Sequence, residues 1–288
     1  LVPGVSGGTI ALITGIYDRF ITAIASVGID ALRMVLAGRV KDAWTHIDGN
    51  FLVAVGAGIL SSVVALASLL NRLLLNYPLP LWALFCGLIL ASAIHLFYTS
   101  RIDWTGREYA LWLTGAGVAT VIGLVQATQL PVGPVSVFLA GAIAISAMLL
   151  PGISGSFLLL IMGMYQPVIS ALVNVDLASV GLFALGCLCG LLVFSRFLKA
   201  LLARAQKATM AVLYGFLLGS VIMLWPWQQP IYSVIDRYGE NRVVQSVPVL
   251  PQTYEGLVGE PMLWLCLFAF SLGAGLVSLL LSVGSDEH

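Results

Sequence analysis

The sequence predicts an all-α polytopic membrane protein, built as an inverted-topology repeat with two re-entrant, broken-helix hairpins. Three observations carry that expectation. The 288 residues are 60% hydrophobic and only 9% charged, with a mean hydropathy of +1.03, where a soluble domain carries about 25% charged residues. Long runs lack Asp, Glu, Lys, Arg and His altogether: residues 109–175 form the longest, followed by Phe51–Asn71, Leu73–Ile94, Leu177–Ser195, Ala208–Ile235 and Pro261–Ser285. Finally, the chain matches itself.

Each apolar run is read as helix. Crossing the hydrocarbon core takes about 20 apolar residues, and a backbone in lipid must satisfy its own hydrogen bonds. The alternating pattern of an outer-membrane barrel is absent. The composition excludes an ordinary soluble enzyme and a disordered chain. Lys plus Arg equals Asp plus Glu at 13 each, with no basic tract, which speaks against nucleic acid as a partner. Cys86, Cys187, Cys189 and Cys266 all sit in apolar runs without a CxxC pair or a Cys/His cluster. They read as small apolar packers, and neither metal nor cofactor is expected. No signal peptide pattern opens the chain.

The self-match sets the organisation. Residues 2–17, VPGVSGGTIALITGIY, align with 150–165, LPGISGSFLLLIMGMY, and Leu84–Ser92 aligns with Val212–Ser220. The spacing between copies shortens because the first carries a polar insert around Asp30–Gly49. Two units follow, 1–128 and 129–288, the second with an external loop at about 228–260 whose prolines 230, 248 and 251 suit a small cap. The apolar helix Val135–Leu149 before the second motif leads the repeat to expect a counterpart of about 15–20 residues upstream of Leu1.

Charge gives the orientation. With Phe51–Leu70 starting inside, Leu177–Arg196 running inward and Met210–Trp225 outward, only Arg72, Arg237 and Arg242 fall outside. Every other Lys and Arg lies inside, as the positive-inside rule requires. In this arrangement the turns at 71–80 and 196–208 correspond in sequence but lie on opposite sides. Trp82, Trp104, Trp112, Trp225, Trp227 and Trp264 fall near segment ends as an interfacial belt.

Pro-Gly-x-Ser-Gly recurs inside two uncharged apolar runs, where Pro and Gly break a helix. A break at membrane depth is tolerated where it is buried in protein or lines a cavity. Each break frees backbone amides at the start of a half-helix, glycine permits close approach, and Ser6, Thr9, Ser154 and Ser156 add hydroxyls. No carboxylate lies in either motif, so the expected ligand is an anion. Glycine-driven helix packing is the plainer reading; duplication of the motif favours a substrate site.

PGVSGGT followed by GIYD, and PGISGS followed by GMYQ, resemble the polyprenyl-phosphate transporter family (PopT-type), formerly a domain-of-unknown-function family. The resemblance covers essentially the whole chain. It implies a multi-pass protein of the bacterial inner membrane that returns undecaprenyl phosphate, the cell-wall carrier lipid, across the bilayer. It also implies phosphate binding by Pro3, Gly4, Ser6, Gly7, Gly8 and Thr9 and by Pro151, Gly152, Ser154, Gly155 and Ser156. After the tyrosine the copies diverge, Asp18-Arg19 against Gln166-Pro167.

Two alternatives stand beside this. An intramembrane polyprenyl pyrophosphate phosphatase would need a motif arginine and nearby acids, but Gly7 and Gly155 follow the motif serines. A small-anion transporter is the other. Asp18, Arg19, Arg72 and His95 are candidates for phosphate contact or for carrying a coupling proton; sodium is the other coupling ion considered. Snorkelling of Arg72 and interfacial placement of His95 are their structural counter-readings.

Overall fold

The computed structural model describes residues 7–100, 102–125, 130–235 and 241–285. Two short helices open it, α1 (Gly7–Ile13) and α2 (Tyr17–Ser26), followed by α3 (Ile29–Leu36) and α4 (Val40–His46). Three long helices come next, α5 (Gly49–Asn76), α6 (Pro78–Thr99) and α7 (Gly106–Leu124). The second half holds α8 (Pro134–Leu149), the short pair α9 (Gly155–Ile161) and α10 (Tyr165–Val173), and α11 (Leu177–Gly219), which runs into a 3-10 turn over Ser220–Leu224. An antiparallel hairpin, β1 (Gln228–Ile235) and β2 (Asn241–Pro248), then leads to α12 (Pro251–Leu257) and α13 (Leu263–Ser285). Among the described residues, α5, α6 and α11 are long and apolar enough to cross a membrane, while α9 and α10 qualify together but meet at a 108° bend.

Local chemistry sets the boundaries. Proline at the first position starts α6, α8 and α12, where its missing N–H costs nothing. The Asp176 carboxylate caps α11 by accepting from the amides of Ala178 (3.2 Å) and Ser179 (3.3 Å). Its carboxyl is held below the usual range by bonds from Ser179 and Ala178.

The two copies fold alike. α1 and α9 end at matched residues, Ile13 and Ile161, 148 positions apart. The bend after each is made the same way, with Gly15 at φ +74° and Gly163 at φ +68°. Ile16 N–H donates to Ala11 O at 3.0 Å, and Met164 N–H to Leu159 O at 2.9 Å. A left-handed backbone at that step suits glycine alone among common residues.

The second correspondence is a break. Tyr77, between α5 and α6, has φ −137° and ψ 55°; Ala205, its counterpart inside α11, has φ −147° and ψ 55°. A straight 43-residue helix would reach about 65 Å, twice the hydrocarbon thickness. The break folds α11 into a V instead. Phe194 and Phe197 on one arm line the same cleft as Val212 and Phe216 on the other, although a straight helix would separate Phe194 from Phe216 by about 33 Å. The expected inward and outward passes of this region are therefore the two arms of one bent element.

Glycines mark the long contacts. A Cβ on Gly87 of α6 would lie 2.1 Å from Phe270 O of α13, and one on Gly273 would lie 2.1 Å from Leu84 O. The same pair of contacts recurs between the second arm of α11 and α7: Gly215 against Trp112 O at 2.1 Å and Gly115 against Val212 O at 2.3 Å. α6 thus packs on α13 in the same way as the second arm of α11 packs on α7. Small residues let the backbones meet this closely. The match brings out a further repeated stretch, Gly115-Ala-Gly117 and Gly273-Ala-Gly275.

α8 runs parallel to the first arm of α11, with Gly186 against Phe138 O (2.0 Å) and Gly190 against Ala142 O (2.4 Å). At the end of α9, Met162 O accepts from Leu130 N–H at 3.3 Å.

The inserts separate the copies. In the first, the polar stretch forms α3 and α4, which expose Ile29, Leu32, Leu36 and Val40. In the second, the loop at 228–260 forms a small cap of β1, β2 and α12 on an otherwise helical chain. β-branched residues such as Ile231, Val234, Val243, Val244 and Val247 favour strands once the chain has left the apolar spans. Trp225 and Trp227 pin this cap to the bundle by donating from their indole nitrogens to Val249 O (2.8 Å) and Pro261 O (2.9 Å).

Candidate functional site

Pro3, Gly4 and Ser6 lie outside the described residues. Of the remaining first-motif residues, Gly8 and Thr9 meet the second copy. Gly8 and Thr9, at the start of α1, pack on the segment that joins α8 to α9. A Cβ on Gly8 would sit 2.6 Å from Leu149 O. The fully buried Thr9 hydroxyl accepts from Gly152 N–H at 2.8 Å. Beside it the buried Tyr17 hydroxyl donates to Leu149 O at 2.9 Å. Gly152 has φ +80°, and a Cβ there would lie 2.7 Å from Phe216 O and 2.8 Å from Ser220 Oγ. Only glycine fits both the torsion and the space.

Pro151, Gly152, Ile153, Ser154 and Gly155 are all buried, while Ser156 is exposed. Ser154 stands at the cap position of α9 with extended backbone but does not cap it; its hydroxyl pairs with that of Ser156 at 2.9 Å. The first-turn amides of α9 therefore receive no bond from the cap side chain. Gly155 backs onto Ala144 O of α8, 2.4 Å from a would-be Cβ. Gly7, by contrast, borders a cleft of about 510 Å³ between α1 and α5.

The charged candidates are distributed differently. Asp18, half-buried on α2, accepts from Gln206 Nε2 at 3.0 Å through Oδ2, and its Oδ1 is buried with no hydrogen-bond partner. Gln206 directly follows the Ala205 break. Arg19 points elsewhere: its guanidinium donates to both Asp48 oxygens (2.6 and 3.1 Å) and lies 4.4 Å from the Phe51 ring centre. That pairing holds the Asp48 carboxyl below its usual range and staples α2 to the start of α5. Arg72 is exposed on α5. The half-buried His95 ring meets Thr99 one turn along its own helix. Of the four, the described contacts bring Asp18 alone to the core that the motifs share.

Two serines at matched positions carried no sequence assignment, and Arg196 was read only as an inside charge. Ser220 abuts Gly152 and bonds to Leu217 O at 2.7 Å; it corresponds to Ser92, equally buried, which bonds to Leu88 O at 2.7 Å. Arg196 donates to Val27 O at 2.9 Å and so caps the end of α2. Among the described residues, no group of three His, Cys, Asp or Glu comes together that could hold a metal.

Long apolar helices around a core in which Thr9 meets Gly152 define the class, a multi-helix membrane protein. A family model described as VCA0040-like, undecaprenyl phosphate translocase-like, matches residues 1–242. A polyprenyl-phosphate transporter of Vibrio cholerae is 38% identical over 276 residues, covering 95% of this chain and 89% of that protein. A polyprenyl-phosphate transporter of Staphylococcus aureus is 33% identical over 243 residues, 78% of this chain and 81% of the other. No solved structure matches. The chain belongs to the undecaprenyl phosphate translocase-like family.

Proposed function

We propose that this protein is a transporter that carries a polyprenyl phosphate, undecaprenyl phosphate or a close analogue, across the bacterial inner membrane to recycle the carrier lipid. The observation that carries the reading is the buried junction of the two motifs, Thr9 to Gly152 and Tyr17 to Leu149. It supports the reading because it joins the start of the first copy's α1 to the second copy's motif in the core. Family membership and the names of both relatives support the lipid as substrate. Transport is favoured over phosphatase chemistry because glycine follows each motif serine and no basic group enters the described motif contacts.

In this reading the phosphate meets Ser154, Gly155 and Ser156 from one copy and Ser6, Gly7, Gly8 and Thr9 from the other, with Pro3, Gly4, Pro151 and Gly152 shaping the breaks. α8 with α9 and α10 is a re-entrant hairpin, supported by the parallel course of α8 and α11 and by the Leu130–Met162 bond. The copies are inverted in the membrane, supported by the reciprocal packing of α6 on α13 and of α11 on α7 and by the distribution of basic residues.

Moving a phosphate monoester, with about 1.5–2 negative charges near pH 7, toward a negative interior costs about 2.3 kcal/mol per charge per 100 mV. An inward proton or sodium ion offsets that cost. Asp18 is the candidate carrier, supported by its unpartnered buried oxygen. The test is translocation of labelled polyprenyl phosphate in proteoliposomes under imposed gradients. Ser154→Ala is expected to weaken lipid binding roughly ten- to a hundred-fold, as loss of a hydroxyl donor to a charged group does, while transport persists at high lipid. Asp18→Asn is expected to remove the response to a pH or sodium gradient. Release of inorganic phosphate from a polyprenyl pyrophosphate by the pure protein would overturn the transport-only reading.

A further inference from the structure

Resting on that reading, we infer that the cleft inside the V of α11 seats the isoprenoid chain of the lipid, at the end that carries the phosphate. The cleft holds about 370 Å³, within the range of small-molecule sites. Its walls are Phe194, Phe197 and Leu201 on one arm and Val212 and Phe216 on the other. The one hydroxyl in the lining, on Thr209, is turned into its own helix and donates to Ala205 O at 2.9 Å. Such a surface has nothing for a free ion and suits hydrocarbon.

Position selects the occupant. Leu150, which also lines the cleft, directly precedes Pro151 and Gly152. Phe216 lines the cleft with its ring arm and touches the second motif with its carbonyl, 2.7 Å from where a Gly152 Cβ would lie. A phosphate held at Gly152–Ser156 therefore has its first isoprene units at the mouth of an apolar channel. The larger cleft between α1 and α5 is a poorer candidate. The matching face of α9 in the second copy is covered by α8, with Gly155 against Ala144 O, so that position is one a packed helix takes.

Photo-crosslinking in proteoliposomes of the full chain tests this. The probe is a polyprenyl phosphate with a diazirine on the isoprene unit nearest the phosphate, compared with a diazirine-bearing phosphatidylglycerol. Adducts are expected in 194–201 and 208–216, displaced by unlabelled polyprenyl phosphate and not by phosphatidylglycerol. Filling the cleft with Ala208→Phe should weaken long-chain binding at least about tenfold and leave competition by a soluble short-chain prenyl phosphate unchanged. Thr209→Leu is a milder filler for the case in which the first variant does not fold, and Val193→Phe on the exposed face of the same arm is the control. Adducts confined to α1 and α5, or equal labelling by the phosphatidylglycerol probe, would overturn the assignment. Wild-type protein that binds polyprenyl phosphate no better than phosphatidylglycerol would instead overturn the functional reading beneath it.

Discussion

Thr9 sits where a threonine in an apolar helix has little to gain from packing alone. Its hydroxyl is the partner of the Gly152 amide, 143 residues away in the chain. Replacing Thr9 with valine keeps the shape and leaves that buried N–H unsatisfied, a loss of about 1–3 kcal/mol. Thr9→Val should therefore lower the unfolding midpoint in detergent, and Thr9→Ser should restore most of it. Tyr17 and Gly8 were legible as motif positions because the repeat aligns them. Their contact with Leu149 was not, since a hydroxyl-to-carbonyl bond across 132 residues leaves no periodicity. The same holds for Asp18 and Gln206, which only the bend at Ala205 brings together.

At the level of elements, the helices follow from composition and the breaks from glycine and proline, and both could be read directly. Matched ends of α1 and α9 were legible because identical residues carry the bends. Pairing of the long helices was hidden: close packing needs only small side chains at the crossing, and Gly115-Ala-Gly117 against Gly273-Ala-Gly275 is too short a match to stand out. The crossings bear a test. A Cβ at Gly215 meets the Trp112 carbonyl, part of a backbone that cannot swing aside. Gly215→Ala is expected to cost about 1–3 kcal/mol through overpacking, and Gly87→Ala a similar amount at the partner crossing. Gly117→Ala, which has open space around it, should be close to neutral. Thermal unfolding of the three variants side by side is the measurement.

For the whole molecule, the internal repeat is the organising feature of the sequence. Its spacing changes from 148 to 128 residues, and in the structure α6 packs on α13 as the second arm of α11 packs on α7. The insert that forms α3 and α4 accounts for that drop, and the later insert that forms β1, β2 and α12 raises the spacing to 158 at Gly115 and Gly273. The sequence marked both as departures from the apolar pattern, but a hairpin was not legible in a stretch read only as a loop. Inversion across the bilayer has a direct check. With native cysteines replaced, Val27→Cys and Val175→Cys should label with a membrane-impermeant thiol reagent from opposite sides. Labelling from one side would refute the inverted arrangement.

The Thr9–Gly152 bond reaches further than stability. In the second copy Phe157 stands where Thr9 stands in the first, so the bond has no mirror image. A cycle that swaps the roles of the two halves passes between states that would be degenerate under perfect symmetry. Here one of them owns a hydrogen bond that its twin cannot form, worth about 0.5–1.5 kcal/mol, or a population ratio of roughly two to twelve. The expected consequence for the proposed carrier is an unloaded resting state biased toward the conformer that holds this bond. Spin-label distances across the two motifs should show one dominant conformer in the unloaded wild type and a more even pair of conformers in Thr9→Val.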